Sequence, residues 1–182
     1  MFVGHFAAGF AAKRVAPQLS LGVLFLAAQL ADVLWPIFVA LGLETVRIAP
    51  GVTAVTPLDF VSYPYSHSLA ALVVWAIVLG AICARLAGGR TTFLVVAALV
   101  LSHWVFDFVT HRPDMPLYPG SVKYGLGLWN SLHATLAVEL AMFAAGVWVY
   151  ATSTRPRDAG GRWSFVALVA VLLVAYAANL AG

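Results

Sequence analysis

Apolar residues fill this chain in five long blocks, parted by short polar stretches. A helix needs roughly 20 mostly apolar residues to cross a bilayer. The blocks at about Leu19–Leu43, Ser66–Leu86, Thr91–Thr110, Leu128–Ala151 and Trp163–Leu180 each meet that length. Gly88-Gly89 separates the second from the third, and Arg155-Pro156-Arg157-Asp158-Ala159-Gly160-Gly161 the fourth from the fifth; both are turn signals. No internal repeat or linker divides the chain. The pattern predicts an all-α integral membrane bundle of about five transmembrane helices, as one domain over residues 1–182.

A sixth apolar piece, Phe2 to Ala16, is too short to span. It fits a half-membrane helix with its basic end at the cytoplasmic surface. His5 would then stand roughly 12–15 Å above Lys13 and Arg14, at about 1.5 Å per residue. It fits equally an interfacial amphipathic helix with His5 among the headgroups. Lys13 and Arg14 follow the apolar stretch, whereas a signal peptide places its basic residues first.

Composition agrees with a membrane protein: 63% of residues are hydrophobic and 9% charged, against about a quarter charged in soluble domains. The formal net charge of +3 is too small to suggest a nucleic-acid partner. The single cysteine, Cys83, rules out a disulfide framework or a cysteine metal cluster. Basic residues cluster before the first span (Lys13, Arg14), in the second-to-third turn (Arg85, Arg90) and in the fourth-to-fifth turn (Arg155, Arg157, Arg162). The positive-inside rule places these in the cytoplasm. The N-terminus is then cytoplasmic, the C-terminus outside, and the segments Glu44–Tyr65 and His111–Gly127 face outward.

Candidate chemistry concentrates in Ser102–Pro116, where His103, Asp107 and His111 recur every fourth residue. On a helix they form one stripe, and ionisable groups inside a membrane mark a functional site by default. Imidazole and carboxylate are also ligands for divalent metals. A straight helix sets positions i and i+8 about 12 Å apart, too far for one ion. His103 and Asp107 therefore form one wall of a site, while His111, at the helix exit beside Arg112-Pro113, belongs to a second ion, a substrate contact or the loop.

Other polar residues fall at the same depth under the topology above. Asp32 lies just past the middle of the first span, where an unpaired carboxylate costs about 3 kcal/mol. His67 follows Tyr63-Pro64, with Ser66 as a plausible cap for the second span. His133 lies about one turn inside the fourth span. Ser131, Thr135 and Glu139 form a separate polar stripe, with Glu139 near mid-bilayer as a general base or an interhelical hydrogen-bond partner. The segment from Arg112 to Trp129 is rich in proline and glycine and reads as a folded lid. Its Arg112 and Lys123 are either an anion contact or ordinary loop charges.

In this order, Gly4-His5, Asp32 with Pro36, Ser66-His67-Ser68 and Ser102-His103 with Asp107, the chain resembles the membrane-bound, metal-dependent hydrolases of bacteria. These are also described as LexA-binding, inner-membrane-associated hydrolases, and their activity is itself largely inferred. The resemblance runs from Met1 to about Asp107, and leaves the last span outside it. It implies a bacterial inner-membrane location and one or two divalent ions, most plausibly zinc, on His5, Asp32, His67, His103 and Asp107. It also favours the half-membrane reading of the N-terminal helix. Ala31-Asp32-Val33-Leu34-Trp35-Pro36 lacks the second acidic residue often found there, which bears on the number of ions.

Three functions compete on this basis. The first is a metal-dependent hydrolase using a metal-activated water on a membrane lipid or lipid-linked (phospho)ester, with His111, His133 or Glu139 moving protons. The second is a metal-ion or proton transporter or channel. The third is a structural protein with a metal staple.

Overall fold

The computed structural model describes residues 1–181 and is mostly helical. Four helices are long and apolar enough to cross a membrane: α4 (Leu69–Ala87), α5 (Arg90–Thr110), α6 (Leu132–Ser153) and α7 (Ala159–Ala181). The expected first span is instead a broken pair, α2 (Leu21–Ala28) and α3 (Leu30–Ala40), bent by 57°. Gln29 leaves helical geometry at the break, with φ −106° and ψ 10°. Counted as one crossing, the pair makes five.

The remaining boundaries shift by a few residues for local reasons. The fourth span starts at Leu132, because Leu128–Asn130 form a separate 3-10 turn and Ser131 caps the helix by accepting from the Ala134 N–H. The second is capped by Ser68, whose hydroxyl accepts from Ala71. The expected cap, Ser66, does other work described below. Gly88 and Gly89 adopt φ of +83° and +87° in the tight turn between α4 and α5, a backbone that side chains resist.

The short N-terminal helix, α1 (Val3–Ala12), does not lie on the surface. Its Val3, Gly4, His5, Ala7, Gly9 and Phe10 are buried against α6, α2 and α5. Gly146 permits the closest approach, since a Cβ there would come 2.5 Å from the Ala7 carbonyl oxygen. Small residues allow such contact between helices in lipid. The first four N–H groups of a helix lack intrahelical partners, and α1 begins with Phe2, which cannot cap it. Glu139 of α6 supplies the acceptor, its Oε2 taking the N–H groups of Phe2 (2.8 Å) and Gly4 (3.3 Å).

Three apolar clusters complete the frame. One joins α2, α4 and α5 around Leu24, Leu72, Val96 and Val100. A second, rich in aromatics, joins α1, α6 and α7 through Phe10, Phe143 and Tyr176. The third, Phe60, Tyr63 and Met115, lies under two small antiparallel hairpins. These are β1 (Thr45–Ile48) with β2 (Leu58–Ser62), and β3 (Met115–Pro116) with β4 (Lys123–Tyr124). The expected lid, Arg112–Trp129, holds the β3–β4 pair, and the β1–β2 hairpin from the Glu44–Tyr65 segment lies at the same end of the bundle, opposite the basic turns.

Candidate metal centre

His103 and Asp107 stand one turn apart on the buried face of α5. His103 Nδ1 lies 2.8 Å from the Ala28 carbonyl oxygen. That carbonyl closes α2 at the break, so the bend at Gln29 presents an acceptor to the imidazole. A carbonyl can only accept, so Nδ1 carries the proton, and in the neutral ring Nε2 holds a lone pair. Nε2 points into a group of carboxylate oxygens, 3.0 Å from Asp107 Oδ2 and 3.6 Å from Asp32 Oδ1. It is buried and makes no hydrogen bond, despite that proximity.

His67 is fixed by a parallel device. Glu44, just before β1, is buried and accepts the N–H groups of Tyr65 and Ser66 on Oε1, each at 2.8 Å. Its Oε2 accepts the Ser66 hydroxyl at 2.7 Å. With its proton given to Glu44, Ser66 Oγ accepts from His67 Nδ1, also at 2.7 Å. The Nε2 lone pair of His67 then faces Asp32 Oδ1 (3.4 Å) and Asp107 Oδ2 (3.7 Å). Burial pushes the His67 pKa down against the pull of Asp32, which keeps the ring neutral near pH 7.

Two lone pairs and two carboxylates thus converge, and a cation reconciles them. Ligands 2.0–2.1 Å from a tetrahedral ion lie about 3.3–3.4 Å from each other. The four separations just given, from 3.0 to 3.7 Å, bracket that edge. Asp32, His67 and His103 therefore form a three-donor group that could hold a divalent ion, with Asp107 beside it. Asp32 is the accessible member: its side chain is 43% exposed, against 3% or less for His67, His103 and Asp107.

His5 reaches the same centre from α1. Its ring stacks on His103 with centroids 3.8 Å apart, and Nε2 lies 3.1 Å from the other oxygen of Asp107, Oδ1. The Met1 ammonium also meets Oδ1, at 2.5 Å. Asp107 therefore faces His67 and His103 with one oxygen and His5 with the other. His5, His103 and Asp107 form a second metal-type group that overlaps the first at His103. His103 Nδ1 is committed to Ala28, so the two groups share the single atom Nε2.

His111 caps α5 in extended geometry, already turning into the loop. Its Nδ1 lies 2.9 Å from Asp114 Oδ1, and its Nε2 lies 3.8 Å from Asp107 Oδ2. Tyr63 donates to Asp114 at 2.8 Å. Burial and that carboxylate push the Tyr63 hydroxyl well above the phenol range, so it remains a donor. Arg112 pairs with Asp59 and Asp114, and Lys123 donates to the Val61 carbonyl at 2.7 Å. Both cations are engaged within the hairpin layer.

Glu139 is buried and lines a cavity of about 310 Å³ beside the centre, together with Asp32, His67, Asp107 and His111. His133 is a correction: it is exposed on α6 and apart from this cluster. At 100° per residue it stands about 200° from Thr135 and 240° from Glu139, the residues α6 turns inward. Glu44, Ser66 and Asp114 join the site without having been expected there. His111-Arg112-Pro113-Asp114 carried a local signal in its i, i+3 spacing, whereas Glu44 lies 22 residues from Ser66 and carried none.

Fold and site together define a multi-pass helical membrane protein with a buried His–Asp cluster of metal-binding type near one end of the bundle. The chain belongs to the YdjM inner membrane protein family, whose model matches residues 1–181. That match continues through α7, beyond the part that carried the sequence resemblance. The family description supplies an inner-membrane location and no activity. No curated protein and no solved structure matches the chain.

Proposed function

We propose that the protein is a membrane-embedded, metal-dependent hydrolase acting on an ester or phosphoester of a lipid or lipid-linked molecule. The observation that carries this reading is the three-donor group Asp32, His67 and His103, which leaves a fourth position open for water, with its accessible member, Asp32, on the wall of a largely apolar cavity. Asp32, His67 and His103 hold the ion, Asp107 lies beside them, and His5 stands at the far oxygen of Asp107 for a second. Two imidazoles and a carboxylate suit zinc. A bound zinc ion supplies Lewis acidity and lowers the pKa of its water to about 7.

The chain's own groups do the rest. His111, with Nδ1 donating to Asp114, keeps Nε2 as a proton acceptor on the cavity wall. Leu58 and Phe60 of β2, with Trp129, line the cavity beside the centre. Glu139 holds the start of α1, and through it His5, against the site.

Transport fits less well. Beneath the centre, toward the basic end, Leu24, Ala27, Leu72, Val96, Leu99 and Val100 pack into an apolar core, which offers an ion no ligands. A purely structural staple leaves the neighbouring cavity without a role.

The test is lipid-ester cleavage by the zinc-loaded protein in nanodiscs, followed by mass spectrometry. Cleavage is expected in the wild type and loss to background in Asp32→Ala and His103→Ala. Equal turnover in all three proteins sinks the proposal. The orientation is part of the same reading, with the basic turns cytoplasmic and the hairpins outside. An impermeant thiol reagent added to intact cells lacking Cys83 should label Val122→Cys and spare Leu86→Cys, two strongly exposed positions. The reverse pattern inverts the topology.

A further inference from the structure

The cavity beside the centre lies between two loosely held helices. On one side stand Asp32, Trp35 and Pro36 of α3, and on the other Tyr176 and Asn179 of α7. The β1–β2 segment roofs it through Val55, Leu58 and Phe60. Helix α3 buries only Ala31, and α7 only Leu172 and Tyr176. The packing of α3 is to α2 and α5, and that of α7 is to α1 and, through Phe165 on Tyr150, to α6. Most of the length of both helices is left unburied by the rest of the bundle.

Three lining residues carry a buried polar atom with no partner: the acceptor Gln29 Oε1 and two groups that can donate. Trp35 Nε1 and the Tyr176 hydroxyl are both buried without a hydrogen bond, and Tyr176 is only 3% exposed. A buried polar group left unpaired is uncommon and calls for an explanation. An indole N–H can only donate, and a phenol donates readily, so the two ask for an acceptor oxygen on a ligand.

The charge lining the cavity restricts that ligand. Asp32, Asp107 and Glu139 contribute carboxylates. The Met1 ammonium is spent on Asp107, and neither Lys nor Arg is among the lining residues. Arg112 and Lys123 are engaged outside it. The three carboxylates are matched in number by the Met1 ammonium and one divalent ion, which leaves no net positive charge. A phosphate group would enter with its charge uncompensated; an uncharged carbonyl would not.

We propose that the slot between α3 and α7 admits, sideways from the bilayer, one acyl chain of an uncharged lipid ester, whose carbonyl oxygen takes the donors Trp35 Nε1 and Tyr176 Oη. This rests on the hydrolase reading for its chemistry, and it narrows the substrate from esters and phosphoesters to neutral acyl esters. A cavity of about 310 Å³ lies at the small end of ligand sites. It takes the ester and the first part of the chain, leaving the tail in lipid.

The test uses the full zinc-loaded chain in nanodiscs and reads binding separately from turnover. The probe is a monoacylglycerol analogue carrying a diazirine on its chain and an amide in place of the ester, so that it resists cleavage. Light-induced labels, mapped by peptide mass spectrometry, should fall on α3 and α7. Excess monoacylglycerol should remove them, and an equal amount of lysophosphatidate should not. Tyr176→Phe and Trp35→Phe, which keep the aromatic packing, should each weaken competition about five- to tenfold, the value of one hydrogen bond. Labels spread over the exposed face of α4, or equal competition by lysophosphatidate, overturn the proposal. Labelling as expected with no cleavage of any ester keeps this binding site and refutes the hydrolase. Cleavage with labels elsewhere does the opposite.

Discussion

Ser66 decides which nitrogen His67 presents to the centre. Its hydroxyl proton goes to Glu44, so its oxygen must receive the Nδ1 proton of the imidazole. Partners behind a ligating histidine typically contribute 10- to 100-fold in metal affinity. Ser66→Ala should therefore weaken zinc binding by about that factor in a chelator competition, with Glu44→Gln similar. His133→Ala, on the exposed face of α6, should leave affinity unchanged. Unchanged affinity in Ser66→Ala would mean that His67 is not held by this relay. The His103–Asp107 pair was legible because helical periodicity places i and i+4 together. The tautomers were not, because Ala28 and Glu44 reach the imidazoles only through the bend at Gln29 and the chain that returns from the β1–β2 hairpin.

The element that matters most is α1. It spans only Val3–Ala12, too short to hold itself in a membrane by length. It is held by the close approach of Ala7 to Gly146 and by Glu139 on its first N–H groups. Losing a charged acceptor to buried N–H groups costs about 1–3 kcal/mol. Glu139→Gln should lower the thermal midpoint of the purified protein, and Gly146→Leu should lower it further by forcing α1 from α6. An unchanged midpoint in both would show that α1 is not docked as described. Hydropathy was enough to place α4, α5 and α7 within a few residues. It was silent on the break at Gln29, because both halves of that pair are equally apolar. It was silent also on the burial of α1, because a short apolar helix reads alike at an interface and inside a bundle.

At the scale of the molecule, the fold separates two ends. Basic turns gather at one, where Lys13 and Arg90 lie close to their helix ends, and hairpins cover the other. The centre sits just beneath the hairpins, where α1 begins, α2 breaks off and α5 terminates. Carboxylates and imidazoles from four separate segments meet there, in a protein whose membrane-spanning helices are otherwise largely apolar. Elemental analysis of the purified protein, beside His103→Ala and Asp107→Ala, tests whether a metal ion holds these groups together. At least one zinc per chain is expected in the wild type and none in either variant. Metal-free wild type after growth with zinc, or full occupancy in both variants, would contradict this.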